Sequence, residues 1–201
     1  MPAQPVSRYV FGQVPWYSLL VVTGMLLAIL LASREEKRLA LPRDTAVDLA
    51  LHVIPLGVIG ARLYYVIFAW DTFASQPLSI LLIWQGGLAI YGGVLGGILG
   101  AWLMSRRKRL SFPLLLDLLA PGVALAQSIG RWGNYFNMEA YGGPVLRPEL
   151  QFFPLAVLID GQWRQAAFFY ESVWDLAVFL LLWLNRKRKR QEIRRASCRE
   201  R

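Results

Sequence analysis

Five apolar runs, at residues 14–33, 46–68, 87–104, 112–129 and 167–184, dominate this chain of 201 residues. Each approaches the ~20 helical residues needed to cross the hydrocarbon of a bilayer. In lipid a backbone must satisfy its own N–H and C=O groups, so runs of this length form helices. The fold class that follows is all-α: a polytopic membrane helical bundle with about five transmembrane helices. The stretch Pro77–Trp84 is too short to span and reads as an interfacial element.

Charge sets the direction of the runs. Arg34, Lys37, Arg38 and Arg43 follow the first, Arg106, Arg107, Lys108 and Arg109 follow the third, and a basic block at Arg186–Arg190 follows the fifth. The second connection, around Asp71, holds no lysine or arginine. By the positive-inside rule the first, third and fifth connections are cytoplasmic, which puts the N-terminus and the long fourth connection outside. The same pattern argues against nucleic acid as the partner of a chain with net charge +9, because the basic residues sit in short blocks beside apolar runs. The positive charges follow the first run instead of preceding it, so that run reads as a retained anchor and not a cleaved signal.

With one cysteine, Cys198, and one histidine, His52, the chain offers neither a disulfide framework nor a His/Cys metal site, and no cofactor is expected. His52 reads as a hydrogen-bonded packing residue and Asp117 as an interfacial one. Gly92, Gly96 and Gly100 recur every four residues and form a stripe on which a neighbouring backbone can pack closely. Pro121 is expected to kink the fourth helix or free a carbonyl there.

The polar groups are not scattered. On this topology Arg62 lies near the outer end of the second helix, Tyr91 in the first outer turns of the third, and Arg131 at the exit of the fourth. At ~1.5 Å rise per residue, all three come within roughly 10 Å of the outer face. A loop bearing Asn134, Asn137 and Glu139 is expected directly above them. An arginine at membrane depth costs about 2.5–3.5 kcal/mol on insertion scales, so it has a partner or a task. Arg62 has two readings, as a partner for an acidic neighbour such as Glu171 or as part of a binding site. For Arg131 the polar loop that follows favours a site. Guanidinium suits two-pronged binding of phosphate, and the phosphate at a membrane's outer face is a lipid headgroup.

The stretch GRWGNYFNMEAYG, Gly130–Gly142, resembles the signature of the prolipoprotein diacylglyceryl transferase family, with Tyr135 where phenylalanine is usual. GARLYYVIF (Gly60–Phe68), WQGGLAIYGG (Trp84–Gly93) and FFYES (Phe168–Ser172) agree with it in order, so the resemblance runs from about Trp16 to Leu184. It implies transfer of the diacylglyceryl group of phosphatidylglycerol to the thiol of the lipobox cysteine in a prolipoprotein signal peptide, with glycerol phosphate leaving. The setting is the bacterial cytoplasmic membrane, with the active site towards its outer face. By position, Arg131 would bind the lipid and stabilise the leaving phosphate. Asn134, Asn137, Glu139 and Gly142 fall on signature positions that would hold and orient the headgroup, Glu139 being counted with the catalytic residues. Tyr91 stands where some members carry a histidine, and would position thiol or headgroup by hydrogen bonding, since a phenol is a poor base at neutral pH. Arg62 would be a second phosphate or carboxylate partner.

The chain departs from the family in having Gln165-Ala166 where many members have His-Pro. Family members also continue for two further helices, seven in all. Residues 1–190 therefore read as one incomplete transferase domain; residues 191–201, which carry no membrane, packing or motif logic, read as a non-native tail. A transporter or a non-catalytic lipid-binding membrane protein is the alternative from another class, but the polar cluster lies to one side of the bilayer and no internal repeat is visible.

Overall fold

A computed structural model describes the backbone of residues 7–10 and 12–199, and their side chains through Arg186 except Gln85. The tail expected at 191–201 falls on residues whose side chains lie outside that description. In chain order the elements are β1 (Tyr9–Val10), β2 (Val14–Pro15), α1 (Trp16–Arg38), α2 (Thr45–Phe68), α3 (Trp70–Phe73), α4 (Ile90–Lys108), α5 (Phe112–Asn137), β3 (Ala156–Ile159), β4 (Gln162–Gln165) and α6 (Ala167–Arg199). Short 3-10 turns occur at Pro77–Leu81, Ile83–Gln85 and Pro148–Leu150.

The all-α expectation holds, with two small antiparallel hairpins added. Four helical stretches among the described residues are long and apolar enough to cross a membrane: Trp16–Arg38, Thr45–Phe68, Phe112–Asn137 and Ala167–Arg186. The remaining expected span forms α4, whose glycines and basic C-terminal turn dilute its apolar character. Outward-facing Leu, Ile, Val and Trp side chains are the rule on these helices, as a lipid solvent requires.

Two compact units divide the chain. The first takes it through Arg34 and from Leu119 onward; the second is Glu35–Leu118.

In the second unit α2 and α4 lie backbone against backbone. A Cβ built on Gly96 would come 2.1 Å from the Leu56 carbonyl oxygen, and one on Gly92 would come 2.2 Å from that of Gly60. Gly100 is packed in the same way on the His52 carbonyl. The stripe is thus a helix-packing seam, matched on α2 by Gly57 and Gly60. The entry to α2 is capped from the previous helix: buried Glu36 accepts the backbone N–H of Asp44 at 3.2 Å and of Ala46 at 2.7 Å. A carboxylate there satisfies orphan donors and complements the positive end of the helix dipole. His52 Nδ1 lies 2.7 Å from the Asp48 carbonyl, in keeping with its expected packing role, and Lys108 bridges Asp48 at 2.7 Å.

In the first unit α1 packs on α5 through small residues. Gly24 abuts Ala126, Gly122 abuts Ala28, and a Cβ on Gly133 would strike the Tyr17 ring at 2.6 Å. Pro121 sits inside α5 and denies that helix one N–H donor. The hairpin β3–β4 closes over the end of α5, with Ala156 opposite Gln165 and Ile159 opposite Gln162. Tyr135, Val157, Ile159, Ala166 and Phe168 form a buried core there, flanked by Trp132, Phe136, Phe153 and Phe169. No strand was expected in the long polar connection; its apolar run Ala156–Ile159 is only four residues long and does not alternate, so it does not stand out.

Candidate active site

Two interlocked serines set the geometry. Ser128 of α5 donates to the Ser172 carbonyl at 2.9 Å, and Ser172 of α6 donates back to the Ser128 carbonyl at 2.8 Å. The Trp132 indole N–H adds a bond to Ser172 Oγ at 3.0 Å. Both serines are 6% exposed, so these bonds form where little else would satisfy them. The clamp fixes the register of α5 against α6. One turn beyond Ser128 comes Arg131, and next to Ser172 comes Glu171.

Those two meet. Arg131 Nη1 and Glu171 Oε2 are 2.9 Å apart, with side chains 38% and 48% exposed. The acid considered for Arg62 is therefore the partner of Arg131. The pair uses one terminal nitrogen of the guanidinium, and a pair this open contributes ~0–1 kcal/mol to stability. It is a held charge, not a buried lock.

The polar signature that follows is not the loop expected above the helix. α5 continues to Asn137, so Asn134 and Asn137 are carried on its last turn. The helix then stops in a Schellman arrangement: Met138 N–H donates to the Tyr135 carbonyl at 3.2 Å and Glu139 N–H to the Asn134 carbonyl at 3.1 Å. Met138 and Ala140 both adopt left-handed conformations, φ 54° and 53°, where glycine would be the unstrained choice. A side chain there costs on the order of 1–2 kcal/mol per residue. Between them Glu139 accepts a hydrogen bond from Asn137 Nδ2 at 2.9 Å. Asn134 and Glu139 line a recess with Tyr135, Met138, Tyr141, Val157, Ile159 and Phe168. Its interior holds ≈ 10 Å³, about one water. It is too small to enclose a phospholipid headgroup.

Gly142 closes the signature against β4. Its N–H donates to the Gln165 carbonyl at 2.9 Å, and Gln165 N–H returns a bond to Gly143 at 2.9 Å. A Cβ on Gly142 would come 2.9 Å from Gln165 Oε1. A side chain at this position would press on that of Gln165. Gln165, at a position where the family pattern departs, anchors the turn through its backbone.

The second unit places Arg62 and Tyr91. Arg62, 7% exposed, donates to four backbone carbonyls: Ser79 at 2.7 Å, Ile80 at 2.8 Å, Gly86 at 2.7 Å and Gly87 at 3.0 Å. Its guanidinium also lies 5.0 Å from the centre of the Phe73 ring. Gly86 and Gly87, at φ 90° and 76°, turn their carbonyls in a way that suits glycine. This is a different use of the guanidinium from the expected grip on a phosphate or a carboxylate, because backbone oxygens occupy nearly all its donors. What it orders is the strap from α3 to α4. Ala89 N–H then donates to the Ala61 carbonyl at 3.0 Å, and α4 begins. Tyr91, its second residue, is 70% exposed, with its ring centre 6.1 Å from that of Tyr64.

The structure thus brings together Arg131, Glu171, Asn134, Asn137, Glu139 and Gly142 in one unit, and Arg62 with the strap preceding Tyr91 in the other. The serine clamp and the Glu171 partnership were not expected. Their signal was present: Ser128 and Arg131 stand three apart on one helix face, and Glu171-Ser172 is a polar pair inside an apolar helix. Among the described residues no group of His, Cys, Asp and Glu is arranged to hold a metal ion.

The sequence profile of the prolipoprotein diacylglyceryl transferase family matches residues 5–198. Proteins named phosphatidylglycerol–prolipoprotein diacylglyceryl transferase are similar over most of this chain. That of Halalkalibacterium halodurans is 43% identical over 178 residues, covering 85% of this chain and 62% of the relative. That of Geobacillus kaustophilus is 42% identical over 194 residues, covering 91% and 72%. That of Bacillus cytotoxicus is 44% identical over 178 residues, covering 86% and 66%. The chain therefore spans about two thirds of the length of these relatives. A match of this extent means that the chain belongs to the prolipoprotein diacylglyceryl transferase family.

Proposed function

We propose that the protein containing this chain moves the diacylglyceryl group of phosphatidylglycerol onto the thiol of a lipobox cysteine in a prolipoprotein, at the outer face of the bacterial cytoplasmic membrane. The names of the relatives supply the two substrate classes. The chemistry asks for little covalent help. Sulfur attacks the glyceryl carbon bearing the phosphate ester, a C–S bond forms, the C–O bond breaks, and glycerol phosphate departs. The thiol gives up its proton, and the phosphate gains a second negative charge as it becomes a monoester.

That growing charge is what the site has to stabilise. Arg131 carries the reading: its guanidinium is held by Glu171 at 2.9 Å, on a helix that the serine clamp fixes against α6, one turn from Asn134 and two from the Asn137–Glu139 hydrogen bond. A fixed cation placed where charge develops is worth most in the transition state. Glu171 keeps Arg131 oriented until the phosphate arrives and competes for it. Asn134, Asn137 and Glu139 orient the glycerol headgroup across the mouth of the recess, with Gly142 holding the turn that presents them. Tyr91 offers its hydroxyl to thiol or headgroup. Arg62 contributes by ordering the strap that leads to Tyr91.

The test is transfer of labelled diacylglyceryl from phosphatidylglycerol to a lipobox peptide by the full-length protein in detergent. Arg131→Ala is expected to lower kcat at least a hundredfold, and Arg131→Lys to recover only part of it, since an ammonium lacks the planar fork. Undiminished transfer by Arg131→Ala sinks the assignment.

A further inference from the structure

The basic block that ends α4 divides into two halves with different surroundings. Lys108 is bound to Asp48 at 2.7 Å. Arg106 and Arg109 are not: no ion pair among the described residues engages either. Instead both line an open cleft of ≈ 490 Å³, together with Trp102, Ser105, Leu110 and Phe112.

The walls of this cleft differ in character. Arg106 and Arg109 supply charge, with the Arg106 guanidinium 5.5 Å from the centre of the Trp102 ring. Trp102, Leu110 and Phe112 supply apolar surface, and Trp102 and Leu103 are exposed on α4. Arg109 is the C-cap of α4 in the left-handed conformation, φ 55°, and its N–H donates to the Ser105 carbonyl. The Leu110 N–H takes the same carbonyl at 3.0 Å. The chain is thereby turned sharply between the two helices, and α5 begins at Phe112.

We propose that this cleft is a second lipid site, which binds the phosphate of an anionic phospholipid while the adjoining apolar surface receives its acyl chains. Free phosphate shares the headgroup chemistry but has no use for the tryptophan, leucine and phenylalanine walls. The location between the basic end of α4 and the start of α5, a helix long and apolar enough to cross a membrane, favours the lipid, because aromatic and cationic side chains gather at the lipid–water boundary. This site is independent of the transferase reading: it uses none of the residues placed there, and it needs only a phosphate headgroup, not a glycerol.

The experiment measures lipid binding to the delipidated chain in detergent by native mass spectrometry, with phosphatidic acid, phosphatidylcholine and inorganic phosphate as probes. The variant pair is Arg106→Gln with Arg109→Asn, asparagine being chosen because it tolerates the left-handed backbone. Arg34→Gln with Arg43→Gln removes equal charge from another exposed place. At about fivefold per arginine near an anionic surface, the cleft variant should bind phosphatidic acid about thirtyfold more weakly. The control variant should stay within about threefold of the parent. Helix content by circular dichroism is expected to be unchanged in both. A lysine pair at the same positions keeps the charge and should recover most of the affinity. The proposal is overturned if cleft and control variants weaken equally, if phosphatidylcholine binds as tightly as phosphatidic acid, or if millimolar inorganic phosphate displaces the lipid and binds in its place.

Discussion

Replacing Arg62 tests the largest departure between expected and observed roles. Its side chain makes four charge-assisted hydrogen bonds to the carbonyls of Ser79, Ile80, Gly86 and Gly87. Hydrogen bonds to charged groups contribute about 1.5–3 kcal/mol each, but four made by one guanidinium are not additive, and water can reach part of an opened strap. An Arg62→Gln change should then destabilise the strap locally by ~3 kcal/mol, roughly a hundredfold in its opening equilibrium. Hydrogen exchange is the assay. The Leu82 and Gly86 amides, bonded to the carbonyls of Ser79 and Ile83, report on this segment. Both should exchange about a hundredfold faster in Arg62→Gln, while amides within β3–β4 keep their rates. Arg62→Lys should fall between, because one ammonium reaches fewer carbonyls. In the transfer assay of the proposed function, the same change in the full-length protein should raise KM more than it lowers kcat, as expected of a positioning residue. Unchanged exchange at Leu82 and Gly86, with kcat lost as in Arg131→Ala, would mean that Arg62 acts on the lipid and not on the strap.

Ser172→Ala removes its donation to Ser128 and the acceptor for Trp132, and should cost about 2 kcal/mol in denaturant unfolding; a change below ~0.5 kcal/mol would deny the clamp its role. Gly96→Ala drives a Cβ into the Leu56 carbonyl at 2.1 Å, whereas Gly93→Ala meets nothing nearer than 3.6 Å. The first should unfold the second unit at lower temperature and the second should not, as circular dichroism on heating will show; equal effects would refute the packing seam. Glu171→Gln removes a half-exposed partner, so thermal stability should shift by no more than a few degrees. Its affinity for phosphatidylglycerol should rise severalfold, because the lipid phosphate no longer competes for Arg131; weaker binding would make Glu171 a ligand instead.

Much of this molecule was legible from residue order. Apolar runs and basic blocks depend on local composition, so the helices of a membrane bundle followed directly from them. The spacing of Gly92, Gly96 and Gly100 revealed a seam because glycine leaves only one face on which backbones can meet. The signature around Arg131 marked the candidate site for a similar reason, since strong hydrogen-bonding groups beside a membrane helix call for partners or a task.

What the sequence left open were choices between partners distant in the chain. Glu171 stood as a possible partner for Arg62, yet it is Arg131 that it meets, because Ser128 and Ser172 lock α5 to α6 in that register. Arg62 found four carbonyls instead, which became available only when Gly86 and Gly87 turned the strap back towards α2. Helices and spans are decided by short-range backbone and solvent energetics, which residue order encodes directly. Which cation meets which oxygen depends on the packing of segments far apart in the chain, and only the tertiary structure decides that.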